Sequence, residues 1–211
     1  MRITTLLRAP WTAVEVVADA VVWPLWVRLC GARFGPGLRL AGRPVLRVGA
    51  SGVLMGGSGV SLVSRRFANP LVVSRPCAFT VASGGRLEIG SECGFSGTVI
   101  VVKERVSIAN RVLVGANSTI VDTDFHPLRP AARREHPTRG ARTAPVVIED
   151  DVFIGMGVTV LKGSHLGRGC VVGAGSVVSG TFPPDSVVAG NPARVVRSLA
   201  DGSVAEPARR R

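Results

Sequence analysis

The stretch "IEDDVFIGMGVTVLKGSHLGRGCVVGAGSVVS", residues 148–179, places an aliphatic residue at every sixth position. A helix would repeat its apolar residues every three or four positions and a single strand every two, so neither element explains the spacing. Glycine follows three of the six aliphatic residues, and a residue that turns the chain is expected at a corner. The six positions are Ile148, Ile154, Val160, Leu166, Val172 and Val178.

A period of six with one inward aliphatic residue is typical of a parallel β-helix. Each hexad forms a short strand and a corner, three hexads close one triangular coil, and successive coils pair as parallel strands about 4.8 Å apart. Residues 36–88 are looser in pattern and predict irregular first coils. Two shorter runs lie between these regions: Ile108, Val114 and Ile120; and Ile89, Phe95 and Val101, followed by a one-residue insertion.

The composition agrees with a fold of many corners. The 211 residues include 26 glycines and 14 prolines, which is too many for a helical protein. The net charge of +12 suits a phosphorylated ligand, an anionic membrane or nucleic acid. Because no basic face is interleaved with aromatic residues, we expect no nucleic-acid partner. The four cysteines form no Cys-x-x-Cys pair, which favours buried reduced thiols over zinc or disulfides.

The two ends of the chain differ from its middle. Residues 1–35 are predicted to form an N-terminal helical cap, residues 36–197 the β-helix, and residues 198–211 a disordered basic tail. The apolar run 20–29 is too short to span a bilayer, and no cleavage-site pattern follows it. We therefore expect a cytoplasmic protein whose N-terminal helix caps the core. The tryptophans beside arginines leave open a peripheral contact with the inner face of the membrane.

His126 stands six residues after Ile120, at the position where the run Ile108, Val114, Ile120 predicts its next aliphatic residue. It opens a segment, residues 126–145, that has no hexad pattern, and long loops of this kind in compact domains are usually functional. Imidazole titrates near neutral pH and can remove the proton of a hydroxyl group, so His126 is a candidate general base. The alternative is an inert histidine that is hydrogen-bonded at a corner.

A general base needs a second group that fixes its tautomer by accepting the other ring N–H. Asp124 is the predicted partner, with Asp122 behind it, and a backbone carbonyl is the alternative. In an alternating strand both carboxylates face the same side, which is equally compatible with solvent.

Three motifs together carry a resemblance to a known family. "TDFHPL" (123–128), the hexads of 148–179 and "PPDSVVAGNPARVVR" (183–197) resemble the hexapeptide-repeat acyltransferases, and within them the sugar O-acetyltransferases. The resemblance implies a left-handed parallel β-helix and a homotrimer with active sites between subunits. It also implies acetyl-CoA as the donor, no metal, and a sugar hydroxyl as the acceptor, in the biosynthesis of cell-surface polysaccharide or glycolipid.

The resemblance also assigns residues. It places Asn117 near the acceptor, with a corner residue as the alternative, and Phe153 where the family often has Trp, at the substrate groove. It places the pantetheine part of the donor against the small side chains of the segments 154–157 and 173–176. The phosphates of the donor would lie near the C-terminal arginines. A solvated basic face is the alternative for those arginines. The implied donor contacts are Met156, Ala174, Ser179, Arg194, Arg197 and, less directly, Lys162.

Rival functions exist on the same fold. Three histidines (His126, His136 and His165) match the number in the zinc-binding γ-class carbonic anhydrases, but the close His-x4-His pair is missing. A β-helix scaffold without activity is a second rival, and the intact His126 loop argues against it. A serine acetyltransferase or a sugar N-acetyltransferase is a third, and "DTDFHP" (122–127) favours the O-acetyl branch.

Overall fold

The structure is a computed structural model that describes residues 13–200, so the basic end 201–211 of the predicted tail lies outside the described residues. A helical segment comes first and consists of α1 (Ala13–Val17), a π-helical turn (Ala18–Val22) and α2 (Trp23–Leu29). A short helix, α3 (Pro130–Glu135), lies in the segment after His126.

Short strands make up the rest of the fold. In chain order they are β1 (Ala32–Phe34), β2 (Arg39–Ala41), β3 (Val45–Val48), β4 (Val53–Gly56), β5 (Ser61–Val63), β6 (Ala78–Val81), β7 (Arg86–Ile89), β8 (Gly94–Ser96), β9 (Val99–Val102), β10 (Arg105–Ile108), β11 (Leu113–Val114), β12 (Thr119–Val121), β13 (Val146–Ile148), β14 (Phe153–Ile154), β15 (Thr159–Val160), β16 (His165–Leu166), β17 (Val171–Val172), β18 (Val177–Val178), β19 (Thr181–Phe182), β20 (Ser186–Gly190) and β21 (Ala193–Ser198).

Strands β1 to β20 form three parallel sheets, in which each strand pairs with the strands three before and three after it. Sheet A contains β1, β4, β7, β10, β13, β16 and β19; sheet B contains β2, β5, β8, β11, β14, β17 and β20; sheet C contains β3, β6, β9, β12, β15 and β18. A chain that visits three sheets in strict rotation is a triangular parallel β-helix. The predicted architecture is therefore confirmed.

The predicted aliphatic hexads form the core. In sheet B, Phe95, Val114, Ile154 and Val172 stand in register on successive strands, and all four are buried. The same stacking joins Ile108, Ile148 and Leu166 in sheet A and Ile120, Val160 and Val178 in sheet C. Each side chain therefore packs against its equivalents one coil away as well as against the other two sheets.

The prediction for Val101 is wrong by one position. Strand β9 turns Ile100 and Val102 inward, and Ile100 stands in register with Ile120. The step from Phe95 to Ile100 is five residues, one fewer than the step from Val114 to Ile120 in the next coil, so a count of six lands on the outward-facing Val101.

The N-terminal helix packs on the first coil through the buried Val27 and the half-buried Trp23. Strands begin at Ala32, before the predicted boundary at residue 36. Within residues 13–200, no helix has the length and apolar character needed to cross a membrane. At the other end, β21 folds back antiparallel on β20 and covers the last coil.

Two segments leave the coils. Residues 64–77 lie between β5 and β6, and residues 122–145 lie between β12 and β13. The second is the excursion predicted after His126. All four cysteines are free, and burial raises the pKa of the Cys77 thiol to about 11, so this thiol stays protonated and unreactive at neutral pH.

Candidate active site

The excursion 122–145 is tied at its base to the body of the β-helix. Thr123 and Thr143 form an antiparallel bridge, and the Ala144 N–H donates to the Asp122 carbonyl over 3.0 Å. The Asp124 N–H donates to the Arg142 carbonyl over 3.0 Å. The chain therefore returns beside its point of departure, and β13 resumes the coil in register with β10.

Asp122 has a structural position: it neither supports the imidazole from behind Asp124, as predicted, nor faces solvent or substrate. Its side chain is buried, and its carboxylate accepts the backbone N–H groups of Lys103, Glu104 and Arg105 over 2.7–2.8 Å. An ionised carboxylate is an acceptor only, and three N–H donors satisfy most of its capacity. Asp122 thus ties the preceding turn of the β-helix to the start of the excursion.

The residue before His126 has an uncommon backbone conformation. Phe125 has a φ of +61°, a region that side chains other than glycine, asparagine and aspartate seldom adopt. Its N–H donates to the Thr123 hydroxyl over 3.1 Å, which holds the turn. Backbone strain of this kind persists where the surrounding structure imposes it, and it concentrates at functional sites. Here it directs His126 out of the coil.

His126 is exposed, and one of its ring nitrogens has a fixed partner. Nδ1 lies 2.6 Å from the carbonyl oxygen of Pro137, across the excursion. A carbonyl only accepts hydrogen bonds, so Nδ1 carries the proton in the neutral ring. Nε2 then presents its lone pair, and no described residue of the chain hydrogen-bonds to it. This is the arrangement that a general base requires.

Asp124 is not the orienting residue that was predicted. Its carboxylate pairs with the Lys162 ammonium group at 3.3 Å, while the Pro137 carbonyl orients the imidazole. The alternative that was left open, a backbone carbonyl, is the one observed. The same ion pair engages Lys162, the weakest of the predicted phosphate ligands, at the base of the excursion.

Asn117 is a corner residue that holds the other excursion. Its backbone is left-handed (φ +62°), and its Oδ1 accepts from both the N–H and the hydroxyl of Ser74 over 2.9 Å. Arg75 adds contacts from its guanidinium to the Asn117 carbonyl (2.7 Å) and the Thr119 hydroxyl (2.8 Å). Asn117 therefore anchors residues 64–77, and an acceptor contact by this residue stays a prediction.

A groove of about 640 Å³ runs along the outer face of sheet B. It is lined by Phe153, Met156 and Ala174, three of the residues predicted to contact substrate or donor. Glycines at 115, 155 and 173 form part of its floor, and Asn69 and Leu71 of the first excursion form one wall. The small floor residues leave backbone accessible between apolar side chains, as a thin amide-containing chain such as pantetheine requires.

The remaining predicted donor contacts lie outside this lining. Ser179 is exposed at the corner after β18, and Arg194 and Arg197 are exposed on β21. Within residues 13–200, neither arginine has a carboxylate partner. The groove lining also contains no residue between Ala116 and Phe153, so His126 does not line the groove of its own chain.

The histidines are not gathered together. The described part of the chain has no group of three His, Cys, Asp or Glu side chains that could hold a metal ion. His165 lies on sheet A, where its Nε2 is 2.6 Å from a Glu149 carboxylate oxygen. This hydrogen bond, with the Arg168 N–H, lowers the pKa of Glu149.

Comparisons with known proteins agree with this architecture. Residues 145–180 match the family model "Bacterial transferase hexapeptide (six repeats)". A putative acetyltransferase of Schizosaccharomyces pombe is 36% identical over 121 residues, covering 57% of this chain and 54% of that protein. A galactoside O-acetyltransferase of Lactococcus lactis is 40% identical over 97 residues, covering 46% of this chain and 44% of that protein.

Among solved structures, a mutant of AntD, an N-acyltransferase from Bacillus cereus in complex with dTDP and coenzyme A, has a similar fold. Its TM-score is 0.62 at 14% identity, covering 83% of this chain and 88% of that one. The chain spans about half the length of the two curated relatives. Together, the repeat and the fold define a left-handed parallel β-helix of hexapeptide repeats, and residues 145–180 are similar to the repeats of bacterial hexapeptide transferases.

The two aspartates of the excursion are expected to differ in their effect on stability. Asp122→Ala removes a buried carboxylate that accepts three backbone N–H groups and should lower the free energy of unfolding by about 3 kcal/mol. Asp124→Ala removes only a partly exposed ion pair and should cost about 1 kcal/mol or less. Urea titration followed by circular dichroism measures both. Equal losses for the two variants would contradict the structural role of Asp122.

Proposed function

We propose that this protein is an O-acetyltransferase that transfers the acetyl group of acetyl-CoA to a hydroxyl group of a sugar. The observation that carries the proposal is the fixed tautomer of His126. Its Nδ1 donates to the Pro137 carbonyl at 2.6 Å, so the exposed Nε2 is free to accept a proton.

The reaction needs no covalent enzyme intermediate. His126 Nε2 removes the proton of the acceptor hydroxyl as its oxygen attacks the acetyl carbonyl carbon. The tetrahedral intermediate then collapses, the carbon–sulfur bond breaks, and the thiolate of CoA takes a proton from the imidazolium or from water. The Pro137 carbonyl holds the ring and stabilises the N–H of the imidazolium throughout.

The donor is proposed to occupy the groove on sheet B. Pantetheine would lie along the small residues near Met156 and Ala174, with the acetyl end towards the incoming base. The phosphates would meet Arg194 and Arg197, whose charges have no carboxylate partner in the described chain. The coenzyme A bound to AntD and the name of the Lactococcus relative support the donor and the class of acceptor.

The active site is proposed to form between copies of the chain, in a homotrimer. The lining of the groove contains no histidine, and His126 of the same chain is not part of it, which supports supply of His126 by a second copy. The outer faces of sheets A and B differ in polarity, as a contact between subunits through sheet B would require. Sheet A carries an ion-pair ladder in which Glu88 lies between Arg86 and Arg105, whereas sheet B exposes Leu113 and Phe153 in register. Apolar sheet faces suit contacts between subunits.

The first prediction on activity concerns the base. His126→Ala should lower kcat for acetyl transfer by at least about a hundredfold, because general-base catalysis contributes that much or more. His136→Ala, in the same loop, should leave kcat unchanged. The measurement is release of CoA thiol with sugar acceptors. A His126→Ala variant that keeps more than a tenth of kcat would rule out this role.

The second prediction on activity concerns the binding of the donor, acetyl-CoA. Arg194→Ala/Arg197→Ala should raise the Kd for acetyl-CoA at least about tenfold, because charge-assisted hydrogen bonds to phosphate are lost. Arg86→Ala/Arg105→Ala removes the same charge from sheet A and serves as the matched control. Calorimetry at constant salt measures both without an acceptor. Equal weakening by the two pairs would indicate a general effect of charge and no phosphate site.

The third prediction on activity concerns the proposed active site between two copies of the chain. Chains carrying His126→Ala and chains carrying Arg194→Ala/Arg197→Ala should each be impaired alone, and refolding them together should restore part of the activity. Mixed trimers would contain sites that combine an intact His126 from one chain with an intact donor groove from another. Activity that never exceeds that of the separate variants would place both functions on a single chain.

A further inference from the structure

The N-terminal helical segment, residues 13–29, faces the protein with its charged side. The only two carboxylates in residues 13–85 are on this segment, and both turn inward. Asp19 pairs with Arg65 at 2.8 Å and accepts the Gly42 N–H over 2.9 Å, while Glu15 lies 3.5 Å from the same guanidinium. A surface helix normally exposes its carboxylates, whereas this segment turns both of them towards the coil beside the buried Val27.

The outward side of the segment is apolar. Val14, Val17, Val21, Leu25 and Leu29 recur every three or four residues and are between 58% and 76% exposed. We call these five residues the outer stripe. At about 1.5 Å per residue the segment is about 25 Å long, which is too short to cross a bilayer but long enough to lie along one.

The helical segment and the first coil expose several arginines, and the first coil has no carboxylate. Arg28 lies between Leu25 and Leu29 in the sequence, and Arg33, Arg43 and Arg47 are exposed on the first coil. Residues 13–85 carry eight arginines against the two carboxylates that are already paired. Arg43 stacks on Trp26, with its guanidinium carbon 4.3 Å from the ring centroid. An apolar stripe within a basic surface has the character of an interfacial helix.

We propose that the outer stripe docks on an anionic phospholipid surface and makes this protein a peripheral membrane protein. The stripe enters the boundary between headgroups and acyl chains, and the arginines contact the lipid phosphates. A second copy of the chain is a poorer occupant, because two such surfaces would bring their arginines together. The inward ion pairs with Arg65 fix the helix so that the apolar side remains outermost.

Flotation of the full chain with lipid vesicles tests the proposal. We expect binding to vesicles of phosphatidylcholine with about a third of phosphatidylglycerol, little binding to phosphatidylcholine alone, and weakening at high salt. Val17→Ser/Val21→Ser/Leu25→Ser should lower the partition coefficient at least about tenfold, because three apolar side chains no longer enter the bilayer. Arg28→Gln/Arg33→Gln should lower it about fivefold or more for each charge.

Met55→Ser/Val196→Ser is the matched control, since both side chains are about as exposed and neither belongs to the helix. This pair should bind vesicles like the wild type. All variants should keep the wild-type circular dichroism spectrum and the wild-type Kd for acetyl-CoA. The vesicle measurement involves no acetyl-CoA, so failure of the proposed activity and failure of the docking are separate results.

Absence of flotation by the full chain, or flotation that the outer-stripe variant retains, would overturn the proposal. Light scattering then identifies the occupant of the stripe. A smaller assembly in the Val17→Ser/Val21→Ser/Leu25→Ser variant would indicate a second copy of the chain.

Discussion

The structure depends on the stacking of one aliphatic side chain per side of each coil. A coil of this β-helix is too thin to bury anything by itself, so Ile154, for example, is covered above and below by Val114 and Val172. These contacts form only if the chain comes back to the same sheet after three strands, with one aliphatic residue every six positions along each coil. The backbone hydrogen bonds between parallel strands follow from that return. Everything that leaves the coil, including His126, must therefore leave at a corner.

This dependence explains how much the sequence alone could predict. A buried aliphatic residue every sixth position is a local, repeated signal, so the coils, the three sheets and the excursion after residue 121 were all predictable. The exception is Val101, because the step from Phe95 to the next buried residue is five residues instead of six and ends at Ile100. The inward carboxylates of the N-terminal helix had no such signal, because their partner Arg65 lies 46 residues away from Asp19.

The candidate site was predictable in its residue types and not in its contacts. His126 stands out because an imidazole replaces an aliphatic residue in a regular series. The hydrogen-bond partner of His126 does not stand out in the sequence, because the Pro137 carbonyl is a backbone group on the far side of a loop. The neighbouring Asp124 was the natural expectation, and Lys162, from a later coil, engages it instead. Proximity along the chain was a poor guide wherever the excursion folds back on the coils.

The closed base of the excursion has a consequence for how such a protein can change. Thr123 pairs with Thr143, and Ala144 donates to Asp122, so the segment between them enters and leaves the coil at one point. Insertions or deletions inside that segment would not shift the register of β13 against β10. The segment that carries His126, the proposed base, can therefore diversify in length and charge while the repeat that lines the groove on sheet B stays fixed. In the proposed function, remodelling this single loop would be enough to change the acceptor.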